Sequence, residues 1–423
     1  MARVMLLLTA HTYRGEPFSE AARRLGIEIV QAIDMPRQLA DYWDAPLGMD
    51  FNEPDAAVQA IVEFAAERPL AAILAVDDSG ALLAARASTV LGLPHNSVAA
   101  AEAARDKYRM RQLLAQAGVA SPPFRRFTAG QDVADIGAQV VEYVGYPCVV
   151  KPLTLSGSRG VIRADDEAQL AAAVTRLTRL LDSLIAPAKA KTFLVERFIP
   201  GFEVALEGLM DDGRLRLLAL FDKPEPLDGP FFEETIYVTP SRLPSETQAA
   251  IVETAAQAAS ALGLRTGPIH AELRVNQDGP WIVEIAGRSI GGLCSRTLRF
   301  DAGDLGMSLE ELILRQACGL PIDSLDREKH ASGVMMIPIP AAGLLRQVEG
   351  MAEAEAVPGV EEVTITARLN YRLVPLPEGD SYLGFIFARA KTADAVEAAL
   401  RQAFGHLHFK IDEEIPLAVT SKQ

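Results

Sequence analysis

The stretch that decides the fold reads HAELRVNQDGPWIVEIAGR and runs from His270 to Arg288. Two alternating apolar–polar runs flank a turn, a pattern typical of a β-hairpin. A three-residue loop, Gln277–Gly279 with its glycine in a left-handed conformation, places Glu272 opposite Glu284. A two-residue loop would shift the pairing and put the two acids on opposite faces. We predict the three-residue loop.

Two facing carboxylates repel each other unless a cation lies between them. Magnesium is a hard ion that takes a few carboxylates together with nucleotide phosphates. Glu272 and Glu284 are therefore candidate magnesium ligands. Two unrelated solvated acids on a hairpin are the alternative.

Upstream of the hairpin, a buried strand ends in a lysine and leads into a loop of small residues. The segment from Tyr146 reads YPCVVKP, and the loop Ser156-Gly157-Ser158-Arg159-Gly160 follows shortly after Lys151. The backbone N–H groups of such a loop can approach a phosphate, and the lysine adds a point charge. The spacing is not that of a Walker loop, and ordinary glycine-rich turns are common. The motif therefore indicates phosphate binding only in combination with others.

Two acids seven residues apart lie between the loop and the hairpin. The segment LVERFIPGFE places Glu196 at the end of a predicted strand and Glu203 further on. Glu196 could accept a hydrogen bond from an adenine amino group, and Glu203 could accept from ribose hydroxyls. Lys107, on a charged helix predicted over 101–116, precedes all of these motifs.

The first hundred residues alternate between strand and helix patterns. This order predicts a parallel sheet with helices on both faces. Asp77-Asp78-Ser79 is a helix cap at the carboxyl edge of this sheet, where open α/β sheets bind ligands. His11 and His95 lie near expected carboxyl ends of strands and could line a substrate cleft. The predicted strands are 4–8, 27–33 and 71–76, and the predicted helices are 17–25 and 56–66.

Length and composition limit the class of protein. A chain of 423 residues exceeds one hydrophobic core, which stops growing near about 250–300 residues. The 41 basic and 56 acidic residues give a net charge of −15, which argues against nucleic acid or an anionic membrane as partner. No stretch approaches the roughly 20 apolar residues of a membrane span. The three cysteines show no metal-type spacing and are interpreted as buried small side chains in a reducing compartment. We therefore expect a cytoplasmic protein.

Taken in order, these motifs resemble the ATP-grasp superfamily over residues 71 to about 319. The resemblance implies an α/β and α+β multidomain chain with the ATP-grasp fold. A parallel α/β domain would occupy residues 1–100, a two-lobed core 101–325, and a small α+β domain 326–423. Within the core, the lid would cover about 122–193 and the C-terminal lobe about 194–325.

The resemblance also implies ATP and Mg²⁺, for which Mn²⁺ can substitute. Lys107 and Lys151 would contact the phosphates while the small-residue loop closes over them. Glu272 and Glu284 would bind the metal. Many members carry Asn where Ala286 stands, so one metal ion or two remains open. The expected nucleotide-binding set is Lys107, Lys151, Ser156, Gly157, Ser158, Gly160, Glu196, Phe198, Glu203 and Lys223.

Three further stretches resemble the L-amino acid ligase branch, the dipeptide synthetases. Arg288, four residues after Glu284, would hold the acyl-phosphate or the tetrahedral intermediate. In the loop 223–241, Glu234 matches an acid that faces the substrate amino group, but Tyr237 stands where that branch has a histidine. The stretches 333–336 and 379–385 resemble its extra C-terminal domain.

The expected function is an ATP-dependent carboxylate–amine ligase that forms an amide bond through an acyl-phosphate and releases ADP and phosphate. Its expected catalytic residues are Arg288, Glu234 and His270. Of these, His270, two positions before Glu272, should share the face of that acid and point at the transferred phosphoryl group. A buried structural histidine is the alternative for His270. The partners would be a small carboxylate and an amine, and homodimers are common in the superfamily. A carboxylase-like enzyme that phosphorylates bicarbonate and a non-catalytic nucleotide-binding module are the rival functions.

Overall fold

The computed structural model describes residues 2–10, 12–42, 47–184, 191–301 and 306–413. The chain forms two compact units. Every described helix is too short or too polar to cross a lipid bilayer. Unit 1 comprises Met1–Arg126, Glu196–Asp222 and Thr239–Lys329; unit 2 comprises Phe127–Val195, Lys223–Val238 and His330–Gln423.

Unit 1 begins with the predicted parallel sheet. Its strand order is β3-β2-β1-β4, and β1 is buried between parallel partners on both sides. The Asp77 carboxylate caps α4 by accepting from the Ser79 N–H, as the sequence predicts. The strands are β1 (Arg3–Thr9), β2 (Glu28–Asp34), β3 (Gly48–Met49) and β4 (Ala72–Ala75), and the helices are α1 (Gly15–Leu25), α2 (Arg37–Tyr42), α3 (Pro54–Glu67) and α4 (Asp78–Leu91).

The prediction of one charged helix over residues 101–116 is wrong. Two helices are present, α5 (Val98–Arg105) and α6 (Lys107–Gln116), with an extended residue, Asp106, between them. The Asp106 carboxylate accepts from the backbone N–H groups of Tyr108 and Arg109, so it acts as the N-cap of α6. The break places Lys107 at the first position of α6, where it is buried.

The first part of unit 2 is a four-stranded sheet of order β5-β8-β6-β7 packed against two helices. Its core joins Val150, Leu177 and Phe193. The predicted strand at Lys151 is confirmed. The elements are β5 (Phe124–Thr128), α7 (Val133–Tyr143), β6 (Cys148–Pro152), β7 (Ile162–Ala164), α8 (Glu167–Ser183) and β8 (Thr192–Arg197).

The second sheet of unit 1 has the order β13-β12-β9-β10. One face is apolar and packs on α6 and α9, with Leu206, Leu273 and Ile285 in its core. The elements of this part of the chain are β9 (Phe202–Asp211), β10 (Arg214–Lys223), β11 (Ile236–Thr239, in unit 2), α9 (Ser245–Leu262), β12 (Gly267–Asn276), β13 (Gly279–Ala286), a 3-10 turn (Cys294–Thr297), β14 (Arg299–Phe300), β15 (Met307–Ser308) and α10 (Leu309–Ala317).

The hairpin β12–β13 differs from the prediction in its loop. Asn276 pairs with Gly279, so the loop has two residues, and the three-residue loop is wrong. Glu272 nevertheless pairs with Glu284, because the register shifts by one residue between Leu273 and Glu272. A β-bulge in β13 supplies the extra residue, Val283. The predicted facing of the two acids is therefore correct, but its cause is the bulge.

The last part of unit 2 is an α+β arrangement, as the sequence predicts. Strand β11 begins a sheet of order β11-β16-β20-β18, and a second sheet has the order β19-β17-β21. The final predicted strand, 407–411, is confirmed, and residues 414–423 lie outside the described part. The elements are β16 (Ala331–Ile337), β17 (Gly343–Glu349), α11 (Met351–Glu355), β18 (Val360–Ile365), β19 (Arg372–Leu373), β20 (Gly384–Ala390), α12 (Ala393–His406) and β21 (His408–Glu413).

Candidate active site

The face of the β9–β12–β13 sheet opposite its core is charged. Successive side chains of a strand point to opposite faces, so His270, Glu272 and Arg274 share one face of β12. On β9 their direct partners in the register include Glu207, opposite His270, and Glu203, opposite Arg274. Each of these two pairs makes a side-chain contact. The alternation therefore gathers the charged side chains of β9 and β12 on one surface.

The two acids of the hairpin are each next to a cation. Glu284 Oε1 accepts a hydrogen bond from Lys107 Nζ at 2.9 Å. Glu272 Oε1 lies 3.5 Å from His270 Nε2. The Glu272 and Glu284 side chains are 20% and 31% exposed, so both carboxylates remain accessible to a ligand. This pair of hard oxygen donors on one face fits a magnesium ion.

His270 is held between two acids. Its Nδ1 lies 3.1 Å from Oε2 of Glu207, which is fully buried and also accepts from the Ile290 N–H. Burial alone would lower the pKa of His270, but the hydrogen bonds and negative charges of Glu207 and Glu272 raise that pKa to about 9. The imidazolium is therefore the favoured form at neutral pH. Sequence reasoning missed Glu207, although an acid inside the apolar run VALEGLM was a usable signal.

Arg288 is fixed by an acid at the start of α4. Its Nη2 donates to Asp78 Oδ2 at 2.8 Å, and its Nη1 donates to the Ser289 carbonyl. Burial would raise the pKa of Asp78, but the charge and hydrogen bond of Arg288, with Lys107 and Arg105 nearby, lower it. Asp78, in the first turn of α4, was expected only as part of a helix cap. No local sequence pattern indicates its pairing with a residue 210 positions away.

The acids predicted to hold adenine and ribose both make buried ion pairs. Glu196 accepts from Arg111 Nε at 3.0 Å and from its Nη2 at 3.3 Å. The same guanidinium donates to the carbonyl of Val283, the bulge residue. Glu203 accepts from Arg274 Nε at 2.8 Å, and the Arg274 guanidinium lies 4.7 Å from the centre of the Phe198 ring. The nucleotide-binding roles of Glu196, Phe198 and Glu203 stay predictions.

In unit 2, Lys151 is buried on β6 and the small-residue loop follows it. Three loop residues, Gly157, Ser158 and Gly160, have positive φ angles of 63°, 55° and 73°. The Gly160 N–H donates to the Pro377 carbonyl at 2.7 Å, and Arg159 contacts the neighbouring segment 378–380. The loop is thus tied to the C-terminal part of unit 2.

Glu234 is bound from two sides within unit 2. Lys223, which is buried, donates to its Oε1, and the Tyr237 hydroxyl donates to its Oε2 at 2.8 Å. Lys223 Nζ also lies 5.0 Å from the centre of the Tyr237 ring. The residue at the histidine position of the ligase branch is therefore a direct partner of the candidate acid. His11 lies outside the described residues, and His95 lines a cavity in unit 1.

Comparison with known proteins shows the superfamily to which this chain belongs. Models for the ATP-grasp N-terminal domain, the ATP-grasp domain and the L-amino acid ligase C-terminal domain 2 match residues 19–95, 144–297 and 335–412. The chain is 32% identical over 234 residues to a D-alanine–D-alanine ligase of Desulforudis audaxviator, a match that covers 53% of this chain and 72% of that protein. The chain belongs to the ATP-grasp superfamily.

Two further relatives indicate the branch of the superfamily to which the chain belongs. The chain is 29% identical over 337 residues to an alanine–anticapsin ligase of Bacillus subtilis, covering 73% of this chain and 68% of that one. The crystal structure of an L-amino acid ligase from Bacillus licheniformis matches with a TM-score of 0.81 and 26% identity, covering 97% and 99% of the two chains. The protein lies in the L-amino acid ligase-like branch. It is an ATP-dependent ligase that joins small molecules through a C–N bond.

Replacing Glu196 should destabilise unit 1. Glu196→Ala leaves the Arg111 guanidinium, which is 1% exposed, without its carboxylate. We expect urea unfolding to show a loss of about 3–5 kcal/mol, the usual effect of removing one partner of a buried pair. Asp55→Ala is the matched control, because it breaks the exposed Arg86–Asp55 pair and should cost less than about 1 kcal/mol. Equal losses in the two variants would contradict the buried pair.

His270 should make stability depend on pH. Because folding raises the pKa of His270 from 6.5 to about 9, its contribution is complete below pH 6.5 and is lost as the pH rises through 9. The stability difference between wild type and His270→Gln should shrink by about 3 kcal/mol between pH 6.5 and 9.5, measured by urea unfolding without divalent ions. Glu207→Gln should reduce this pH dependence, since an amide supplies no negative charge. A constant difference across this range would refute the assignment.

Proposed function

We propose that the enzyme activates a small carboxylic acid as an acyl-phosphate and transfers the acyl group to an amine. A carboxylate oxygen attacks the γ-phosphorus of ATP, and the bond to the ADP oxygen breaks. The amine then attacks the acyl carbon, the C–N bond forms, phosphate leaves, and the amine proton passes to solvent. One observation carries the proposal: Glu272 opposes Glu284 on the same face as His270, with Lys107 beside Glu284.

Glu272 and Glu284 would hold Mg²⁺, and Mn²⁺ could replace it because it prefers the same oxygen ligands. The ion, when bound, neutralises charge on the nucleotide phosphates. Ala286 lies opposite His270 in the register and offers no side-chain oxygen, which supports a site built on two carboxylates. Lys107, which contacts Glu284 here, can then donate to a phosphate instead.

The remaining nucleotide contacts are proposed separately for each unit. In unit 1, Glu196 and the backbone near Phe198 hold adenine and Glu203 holds ribose. In unit 2, Lys151, the loop Ser156–Gly160 and Lys223 bind the phosphates. The burial of Lys151 supports this role, because a buried ammonium favours an anionic partner. Lys223 donates to Glu234 and would contact the phosphate with its remaining N–H groups.

The catalytic roles follow from charge. The Arg288 guanidinium can form parallel hydrogen bonds to the acyl-phosphate oxygens. The His270 imidazolium places a positive charge next to Glu272, on the face where the phosphoryl group would be transferred. Glu234, with its side chain 17% exposed, can accept from the substrate amine while Lys223 and Tyr237 hold it in place.

The proposal also covers the substrates, the cellular location and the domain organisation of the enzyme. The names of the relatives favour amino acids as acid, as amine, or as both. All three cysteines are free thiols, which supports action in the cytoplasm, and a homodimer is the oligomer we expect. We propose functional domains at 1–100, 101–325 and 326–423.

The decisive experiment measures Mg·ATP-dependent phosphate release with pooled L-amino acids and small carboxylates in the presence of hydroxylamine, with products weighed by mass spectrometry. A hydroxamate in one pool would establish acyl-phosphate chemistry and identify the acid. Phosphate release stimulated only by bicarbonate, with no hydroxamate, would favour the carboxylase-like reaction instead. Release that no acid stimulates would leave the proposal without support.

Removing one charged group from the proposed site should cut turnover. Arg288→Ala and Glu284→Gln should each lower kcat by about 10²-fold or more, the usual loss on removing one electrostatic stabiliser. Arg24→Ala is the control, because it removes an arginine from another ion pair of unit 1, with Glu311. Normal melting of all three variants shows that the fold is intact. Near wild-type turnover in both site variants would refute the assignment.

Loss of the Tyr237 hydroxyl should weaken binding of the amine and leave activation of the acid almost unchanged. Tyr237→Phe removes one hydrogen bond to a charged carboxylate, typically about 1.5–3 kcal/mol, so we expect KM for the amine to rise about tenfold. Hydroxamate formation at saturating hydroxylamine should change less than about twofold. An equal effect on both reactions would show that Tyr237 does not act through amine binding.

A further inference from the structure

Arg14 is a buried arginine of unit 1 to which the proposed chemistry assigns no role. It lies directly before the first residue of α1 and is 5% exposed. Its guanidinium donates to the Val76 carbonyl, to the Ser289 carbonyl at 3.4 Å and to the Ser289 hydroxyl at 2.5 Å. Among the described residues, every hydrogen-bond acceptor of this guanidinium is therefore uncharged.

Burial of this guanidinium reduces the stability of the fold. Burial lowers the pKa of Arg14, and the positive charge of Arg288 lowers it further. The nearby acids Glu310, Glu207 and Asp77 act on this pKa in the opposite direction. A buried cation without a hydrogen-bonded carboxylate is costly, so the reason for an arginine here has to lie in what its hydrogen bonds hold in place.

The hydrogen bonds of Arg14 hold both sides of the Asp78–Arg288 ion pair. Val76 lies two residues before Asp78, and Ser289 directly follows Arg288. The Ser289 carbonyl accepts from Arg288 Nη1 at 2.9 Å as well as from Arg14 Nη1. Arg14 therefore connects the segment that carries the acid to the segment that carries the arginine.

These two segments follow strands of different sheets. Asp78 comes shortly after β4, which is an edge strand of the first sheet of unit 1, and Arg288 comes shortly after β13, which is an edge strand of the second. The backbone ladders of the two sheets therefore do not set the distance between the segments. Side-chain bonds such as those of Arg14 have to fix it.

We propose that Arg14 is a positioning residue for Arg288. By joining Val76 to Ser289, a connection that we call the Arg14 clamp, it sets the position from which the Arg288 guanidinium meets the acyl-phosphate. This inference rests on the proposed function and adds a residue that does not touch the substrate. Because a displacement of about 1 Å can lower turnover about 10²-fold, loss of the clamp should lower kcat and leave the affinity for ATP unchanged.

The test opens the clamp from both ends. Arg14→Lys keeps the positive charge but presents its donors from a single nitrogen, so it cannot reproduce the contacts of two guanidinium nitrogens. Ser289→Ala removes only the hydroxyl contact and keeps the test valid if Arg14→Lys does not fold. Ser88→Ala on α4 is the matched control, because Ser88 is also buried and its hydroxyl has no hydrogen-bond partner within the described part of the chain. Melting curves monitor the fold.

We expect Arg14→Lys and Ser289→Ala each to lower kcat for hydroxamate formation by about tenfold, the effect of losing one hydrogen bond to a charged group. KM for ATP, and both constants in Ser88→Ala, should change less than about twofold. In an Arg288→Ala background, assayed at higher enzyme concentration, the same two substitutions should change the residual kcat less than about twofold, because the residue through which they act is gone. Equal losses with and without Arg288 would show a merely structural role and overturn the inference. So would near wild-type kcat in the folded variants.

Hydrogen exchange separates failure of the clamp from failure of the proposed function. Exchange of the backbone amides in segments 76–79 and 288–290 should rise in the folded clamp variants and stay unchanged in Ser88→Ala, whichever acid the enzyme activates. Faster exchange in these segments, without hydroxamate from any acid in the wild type, would retain the clamp and refute the acyl-phosphate chemistry. A hydroxamate from the wild type, with exchange and kcat unchanged in the folded clamp variants, would retain the chemistry and refute the clamp.

Discussion

The charged surface of unit 1 depends on one extra residue in β13. With a two-residue hairpin loop and uninterrupted pairing, Glu284 would point to the same side as Ile282, towards α6 and α9. An ionised carboxylate in that apolar core would cost several kcal/mol. The bulge at Val283 returns Glu284 to the polar face and keeps Ile285 in the core. Arg111 binds the Val283 carbonyl and the Glu196 carboxylate together, so a buried arginine stabilises the irregularity.

The bulge has a second consequence, because it brings the acids of the polar face next to cations from other elements. Glu284 meets Lys107 from the start of α6, and that lysine is in place because Asp106 ends one helix and begins the next. Arg288, four residues after Glu284, meets Asp78 at the start of α4. The chain as a whole carries −15, yet Glu284 and Asp78 each have a cation beside them. Under the proposed function, a phosphate can take over Lys107 from Glu284, because a bound Mg²⁺ would neutralise that carboxylate instead.

Local patterns predicted most of the elements, whereas pairings between distant residues could not be predicted. The parallel sheet followed from alternating strand and helix periods, and the cap at Asp77 followed from its residue type. The facing of Glu272 and Glu284 was predicted correctly from the wrong loop length, because a three-residue loop and a two-residue loop with a bulge give the same pairing of the two acids. The bulge at Val283 has no strong local signal in the sequence. Glu207 with His270, Arg111 with Glu196 and Asp78 with Arg288 join positions 63, 85 and 210 residues apart. Only the folded topology brings such residues together.

The two clusters of candidate residues differ in whether they contain a histidine, and Tyr237 is one reason. A histidine in its place could change charge near neutral pH, whereas a phenol hydroxyl donates a hydrogen bond and carries no charge there. Glu234 contacts Lys223 and the Tyr237 hydroxyl, so Tyr237 adds to this cluster a hydrogen-bond donor and no group that changes charge near neutral pH. In unit 1, by contrast, His270 carries a raised pKa between two acids. If the enzyme loses activity as the pH rises through about 9, His270 is the candidate group, and Tyr237→His would place beside Glu234 a group that titrates near neutral pH.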